Sequence, residues 1–427
     1  MQGNGTLRWL ALSLVLALSR IATGAGAWQP HEVRQINGTA GEVRLPAQFQ
    51  IVTESWNRVV AVPYLAYMPE RDRLLMLVSC DYPHHAEILF SDDRGASWSS
   101  PKPALIEANG KPVAGLGTSL CYLGEGTVLF YSAARWFSRD YGLTWKESVP
   151  IEPLADGKPW YTWDPPLVER DVKTGTITRL VETGYTWFKP PEVKAAHQQA
   201  YLRFSTDGGT SWSQSSRVPQ WQAVSEVALL RAANGHLVAA CRTDTPARMR
   251  PEVIDHTEGL GISVSPNDGR TWSEVRKLYD WGRHHPSLIL LAGGDIVMTY
   301  VVRKGYVNTP EGYPQFGIEA VVSRDHGQTW DLDHKYILRH WVGHIKEGPT
   351  SWYPSSQATS TVLLPDGSML TAFGTGYRCQ EIVKGQPAPR DVGLVKWWLN
   401  TSPVNGETRL RDAPFDSDLR SVYDPNR

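Results

Sequence analysis

The stretch Ser91-Asp92-Asp93-Arg94-Gly95-Ala96-Ser97-Trp98 decides the fold, because its pattern, Ser-x-Asp-x-Gly-x-Ser/Thr-Trp, recurs along the chain. It returns as Ser138-Arg139-Asp140-Tyr141-Gly142-Leu143-Thr144-Trp145 and as Ser205-Thr206-Asp207-Gly208-Gly209-Thr210-Ser211-Trp212. It returns again as Ser323-Arg324-Asp325-His326-Gly327-Gln328-Thr329-Trp330, and Ser265-Pro266-Asn267-Asp268-Gly269-Arg270-Thr271-Trp272 carries Asn267 in place of the aspartate. Self-similarity of this kind marks a repeat architecture. The chemistry is that of a tight turn. The Asp or Asn side chain accepts backbone N–H groups, the glycine permits a positive φ, and the Trp folds back as an apolar plug. The motif aspartates are structural.

Working outward, each copy follows an apolar run such as Ala86-Glu87-Ile88-Leu89-Phe90 or Gly317–Val322. Upstream lies another hairpin, as at Leu229–Val238 around Asn234-Gly235, at Leu288–Val297 around Gly294-Asp295, and at Leu363–Leu370 around Asp366-Gly367. Such dipeptides between apolar runs are strong hairpin signals. Each unit therefore reads as four antiparallel strands, A to D, which is one propeller blade. Six units fit, over about 58–105, 113–153, 162–218, 224–279, 284–338 and 355–399. The expected fold is all-β: a six-bladed β-propeller with four antiparallel strands per blade and five of the repeated turns. The sixth unit lacks the motif, and its outer strand is expected from Glu42 to Val52.

Residues 1–27 read as a signal peptide: Arg8, the apolar run Trp9–Leu18, then Ala25-Gly26-Ala27 as a small-x-small cleavage site. The propeller is expected over 28–400 and a polar tail over 401–427. The expected localisation is secreted or periplasmic, with no stable membrane insertion after cleavage. The 43 Lys+Arg nearly balance 44 Asp+Glu, which argues against nucleic-acid binding through bulk charge. Cys80, Cys121, Cys241 and Cys379 allow three pairings, and buried free thiols are the favoured reading in so long a chain. No Cys/His spacing suggests zinc, and neither metal nor cofactor is expected.

Strand direction locates a site. If A descends and B returns, the repeated turns lie at the bottom, and starts of A and C with ends of B crowd the top, the usual place for chemistry. That end collects Asn57, Arg58, Asp81, Tyr82, His84 and His85; Arg135 and Trp136; Trp163, Asp164, Glu182, Tyr185 and Trp187. It also collects Glu226, Arg242, Asp244, His256 and Glu258; Arg283, His284, His285, Arg303 and Tyr306; Gln357, Tyr377, Arg378 and Arg390.

The repeated turn matches the Asp-box, and the chain resembles the sialidase superfamily of BNR/Asp-box propellers over about 58–398. Val224-Ser225-Glu226-Val227 with Ala239-Ala240-Cys241-Arg242 is similar to the family segment that holds a catalytic Glu and a carboxylate-binding arginine. The resemblance implies Glu226 as the base and Arg242 as a bidentate carboxylate ligand. It departs elsewhere. Val60-Ala61-Val62-Pro63 stands where an Arg-Ile-Pro segment opens the family's first blade, with Arg58 just upstream. The acid/base position holds Asp81-Tyr82-Pro83-His84-His85, so Asp81, His84 and His85 are candidates, and Arg303 is nearest the third arginine. Where the family has its nucleophilic Tyr, Ala372-Phe373-Gly374 reads Phe; Tyr377 and Tyr306 are the nearest tyrosines.

Three functions fit. The first is an exo-α-sialidase-like glycoside hydrolase acting on a terminal acidic sugar. It would use Glu226 with Asp81 or a His, with Tyr377 as candidate nucleophile. Arg58, Arg242, Arg303, Arg283, His284, His285, Trp163, Asp164 and Arg378 would hold substrate, and Trp136, Trp163 and Trp187 would stack on sugar faces. The second is a uronate or polysaccharide lyase with His84 or His285 as base, since imidazole is a good base near neutral pH. The third is a non-catalytic glycan-binding propeller. Each takes carbohydrate as partner. A Glu226 bonded to a Tyr hydroxyl would favour hydrolysis; a His beside arginines with no Tyr–Glu pair would favour elimination.

Overall fold

The computed structural model describes residues 27–38, 41–193, 197–246, 258–304, 315–342, 357–378, 382–383 and 386–401. The expected signal peptide up to residue 26, the tail beyond 401, and His256, Tyr306 and Cys379 lie outside the described residues.

The described chain is all β apart from short 3-10 turns. It opens with β1 (Gln29–Ile36) and β2 (Glu42–Ile51). β3 (Val60–Met68), β4 (Arg73–Cys80), β5 (His85–Ser91) and β6 (Lys102–Pro103) form one antiparallel meander. β7 (Ser119–Gly124), β8 (Thr127–Tyr131), β9 (Ala134–Ser138) and β10 (Glu147–Pro150) form the next. β11 (Leu167–Arg170), β12 (Ile177–Phe188), β13 (His197–Ser205) and β14 (Ser216–Gln222) follow. β15 (Val224–Arg231), β16 (Leu237–Thr243), β17 (Gly259–Ser265) and β18 (Arg276–Tyr279) make a fourth. Then come β19 (Arg283–Leu290), β20 (Ile296–Lys304), β21 (Gln315–Ser323), β22 (Tyr336–Val342), β23 (Gln357–Leu363) and β24 (Met369–Tyr377). The short pair β25 (Ile382–Val383) and β26 (Gln386–Pro387) precedes β27 (Arg390–Trp397).

Where six separate four-stranded sheets are expected, hydrogen bonding gives four such sheets and one nine-stranded sheet, ordered β19-β20-β21-β22-β1-β2-β27-β24-β23. The cause is β1. It pairs along its length with β2, as β2 pairs with β27, and its Arg34 and Gln35 also meet Ile337 and Tyr336 of β22. The result is a propeller-like arrangement in which β23 packs on β3, β3 on β7, β12 on β15, β15 on β19 and β19 on β23. The cores lie between successive sheets. Val60, Leu74 and Met76 meet Leu370 and Leu394, and Val238 and Ile262 meet Met298 and Val321.

The repeated turns explain themselves bond by bond. In the first, Asp93 Oδ1 accepts from the N–H of Ser97 (2.8 Å) and from the Ser91 hydroxyl, while Ser91 Oγ accepts from the N–H of Gly95 (2.8 Å). Corresponding bonds recur around Asp140, Asp207, Asn267 and Asp325. Partial burial would raise the carboxyl of Asp207, but the bonds from Ser211, Ser205 and Thr210 outweigh it and hold it at about 2. Asn267 keeps the geometry because its carbonyl oxygen accepts from the Thr271 N–H while its amide donates to the Thr271 hydroxyl. Gly327 has φ +86, and a Cβ there would meet Val238 at 2.6 Å.

Cys80, Cys121 and Cys241 are buried free thiols. Among the described residues no helix is long and apolar enough to cross a membrane, and no group of three His, Cys, Asp or Glu is arranged to hold a metal ion.

Candidate functional site

One device recurs in β3, β15, β19 and β23. In β3, the three steps from Ala61 to Tyr64 oppose the two from Ser79 to Leu77; β15 does the same between Val224 and Val227, and β19 between His284 and Ser287. In β23 the step from Gln357 to Thr359 opposes a single step from Gly374 to Phe373. Each is a β-bulge, which re-aims a side chain at the cost of one unpaired residue. Val62 (φ 53), His285 (φ 53) and Ala358 (φ 37) sit in the left-handed region, unusual for side chains that gain nothing there. The four bulges turn Val62, Glu226, His285 and Ala358 into one cavity of about 430 Å³.

The cavity also takes Tyr82, His84, Trp163, Tyr185, Trp187, Gln198, Arg242, Glu258, Arg303 and Arg390 to its walls. Its floor is a charged network. Arg242 Nη1 donates to Glu226 Oε1 (2.8 Å), and its Nε and Nη2 reach Glu258 Oε2. Glu226 Oε2 meets His285 Nδ1 at 2.9 Å. Burial works against ionising Glu226, but Arg242 and His285 more than offset it and hold its carboxyl far below the usual range. Burial holds the Glu258 carboxyl above that range. Two carboxyls sharing one guanidinium are thus pushed apart. A carboxylate that stays ionised only accepts, so Nδ1 of His285 carries a proton, and the lone pair of the neutral ring is left on Nε2.

Beside this network Asp164 is 4 % exposed, and among the described residues its Oδ2 has no hydrogen-bond partner. Burial raises its carboxyl to about 7, with His285 pulling it down and Glu226 pushing it up. Tyr64, missed in the sequence because it reads as a plain core position, donates to the Trp163 carbonyl at 2.5 Å and sets its ring 6.4 Å from that of His285. Trp163 meets His285 edge-on, also at 6.4 Å. On another wall, burial and then Arg390 lower the pKa of His84, whose ring lies 4.4 Å from that of Tyr82.

The remaining candidates lie elsewhere. Arg58 is bound by Asp81 (2.7 Å) and Glu87 (2.6 Å), and His85 meets Glu87 at 2.8 Å, so these side chains form a closed ionic cluster that does not line the cavity. Arg283 is buried against Glu319 (2.9 Å), which also takes Lys335 and His340, and His284 is wholly buried beside it in sequence. Arg378 is held by Asp391 at 2.7 Å and by Asn57 at 2.9 Å. Tyr377 reaches only the rim, its hydroxyl 2.8 Å from that of Tyr82. Trp136 packs against the core between the first two sheets. Phe373 does not face the cavity at all: it is fully buried in the core enclosed by the nine-stranded sheet, stacked 6.0 Å from Trp341.

Comparison with known proteins fits this architecture. The BNR repeat-like domain matches residues 136–378, more than half of the 427-residue chain. No curated protein sequence matches. A Dyadobacter fermentans protein of unknown function superposes with a TM-score of 0.58 at 15 % identity, over 82 % of this chain and 98 % of that one. The Streptococcus pneumoniae sialidase NanB gives 0.52 at 12 %, over 81 % and 69 %. The Hadza microbial sialidase Hz136 gives 0.53 at 15 %, over 80 % and 66 %. At these identities the likeness concerns the fold. The chain belongs to the BNR repeat-like family.

Proposed function

We propose that this chain is a six-bladed propeller, exported from the cytoplasm, that acts on an acidic glycan with His285 as its base. The blade count rests on treating the nine-stranded sheet as two blades, β19–β22 and β23-β24-β27-β2, joined through β1. Export rests on the signal-like N-terminal segment.

The observation that carries the chemistry is the Glu226–His285 contact. A base oriented by a buried carboxylate, its other nitrogen at a cavity, is the arrangement of general acid–base catalysis. Among the described residues no tyrosine hydroxyl bonds Glu226, which favours elimination over a tyrosine-nucleophile hydrolysis. In such a step Nε2 takes the proton from the carbon beside the sugar carboxylate. The C–H electrons form a carbon–carbon double bond, and the bond to the glycosidic oxygen breaks. That oxygen leaves with a proton from Tyr185, whose phenol burial keeps protonated. Arg303 and Arg390 line the cavity as cations for the carboxylate.

Hydrolysis is the second reading, favoured by Asp164, a carboxyl at about 7 beside an ionised Glu226, the division of acid and base two-carboxyl sites use. The test is a panel of polyuronates and aryl sialosides with wild type and His285→Ala. Elimination yields an ultraviolet-absorbing unsaturated product, lost in the variant. Release of an intact acidic sugar without that absorbance selects hydrolysis, and saturable binding without turnover selects a glycan-binding module.

A further inference from the structure

Large exposed aromatics call for a reason, and three of the four among the described residues, Tyr82, Tyr161 and Trp187 but not Trp398, gather at the mouth of the cavity. Trp187, 38 % exposed, lines it from the end of β12, and Tyr82, 42 % exposed, lines it from the turn after β4. Tyr161, 44 % exposed, is tied to the same edge. Its backbone exchanges hydrogen bonds with Tyr185 (3.0 and 2.8 Å), and the two rings lie 5.7 Å apart. Lys189 sits 5.8 Å over the Trp187 ring. The deep wall is different in kind: Glu226, Arg242, Glu258 and His285 supply charge and directed hydrogen bonds there.

A charged floor with an aromatic mouth is two recognition chemistries in sequence. The floor suits the acidic residue on which chemistry acts. The mouth suits the C–H faces of neighbouring sugars, which are apolar and stack on aromatic rings without needing a fixed hydroxyl pattern. We infer that Trp187 and Tyr161 form a further sugar subsite on the third blade, so that the protein selects an acidic oligosaccharide chain rather than a single terminal sugar. The inference rests on the proposed glycan reading of the cavity. The Trp187 backbone is fixed in the β12–β13 ladder opposite Gln198.

The test measures dissociation constants, by calorimetry, for acidic oligosaccharides of one to four units, in a His285→Ala background so that nothing is turned over. Affinity is expected to rise with length. Trp187→Ala is expected to remove about tenfold of that rise, the upper end of one aromatic contact, with Trp187→Phe restoring part of it and Tyr161→Ala losing less. Both side chains are over a third exposed, and an unchanged thermal midpoint controls for folding. Affinity independent of length, or an equal rise in Trp187→Ala, overturns the subsite while leaving the base assignment standing. No binding at any length overturns both. Length-dependent binding lost in Trp187→Ala, with no turnover by the His285-intact protein, upholds the subsite and sinks only the chemistry.

Discussion

Asp164 is a carboxyl in a place that favours no charge, and Asp164→Asn turns that into a measurable slope. The side chain is 4 % exposed, Oδ2 has no partner among the described residues, and the Val227 N–H is its hydrogen-bond donor. Burial raises its pKa from 3.8 to about 7. The folded chain therefore binds this proton more tightly than the unfolded chain does. That stabilisation is fully present below about pH 4 and is lost as pH rises through about 7. A rise of this size corresponds to ~4 kcal/mol at ~1.4 kcal/mol per pH unit. Relaxation and water entry on ionisation reduce it, so about 2 kcal/mol is the expected yield. In Asp164→Asn the side chain is neutral at every pH, and its carbonyl oxygen retains the Val227 bond. Urea unfolding followed by tryptophan fluorescence, from about pH 5 to about pH 9, gives the stability difference at each pH. The variant should gain about 2 kcal/mol on wild type across that range, most of it between about pH 5 and about pH 7, with the difference levelling off above. A difference that stays flat would mean that Asp164 ionises as it would in water, and the reasoning from burial would fail.

Glu226→Gln is expected to abolish turnover by reversing the imidazole. An amide offers one acceptor and one donor where Arg242 and His285 both donate to the carboxylate. With the oxygen kept by Arg242, the amide donates to Nδ1, the proton moves to Nε2, and kcat falls by about three orders of magnitude; nitrogen NMR of the labelled ring reads the tautomer, and an unshifted tautomer with lost activity contradicts the mechanism. Phe373→Tyr should not restore sialidase chemistry, because the ring is fully buried against Gly393 and Trp341. The added hydroxyl should instead cost about 1–3 kcal/mol, seen as a lower thermal midpoint with no aryl sialoside hydrolysis.

What the sequence made legible follows from how narrowly each feature constrains residue type. A turn that needs one acceptor side chain, one positive-φ glycine and one apolar plug leaves a readable pattern, so the repeated turns and the four-strand units stood out. Strand direction then sent Glu226, Arg242, His285, Arg303, Trp163 and His84 to one end, and these six do line a single cavity. The bulges were illegible because Val62, His285 and Ala358 adopt positive φ without being Gly or Asn. Sequence therefore gave no means of telling Arg242, turned inward beside a bulge, from Arg58, closed off by Asp81 and Glu87. β1 was hidden for another reason: Gln29–Ile36 mixes charged and apolar residues with no clean alternation, and its place is set by β2 and β22.

The pairing of Arg242 changes what the family resemblance implies for this site. A guanidinium offered to a substrate carboxylate must present its fork, yet here Nη1 is taken by Glu226 and the Nε edge by Glu258. To bind a substrate anion, Arg242 would have to release a buried glutamate, and stripping one partner from a buried ion pair costs about 3–5 kcal/mol. The released carboxylate would then repel the incoming one. Arg242 is better placed to keep Glu226 ionised, which in turn fixes the His285 tautomer. On the proposed reading, a substrate carboxylate is met instead from the side of Arg303 and Arg390, at the ends of the fifth and sixth blades. On that reading, the arginine to which the resemblance assigns substrate binding serves the base instead, and the chemistry proposed for this site passes from a tyrosine nucleophile to an imidazole.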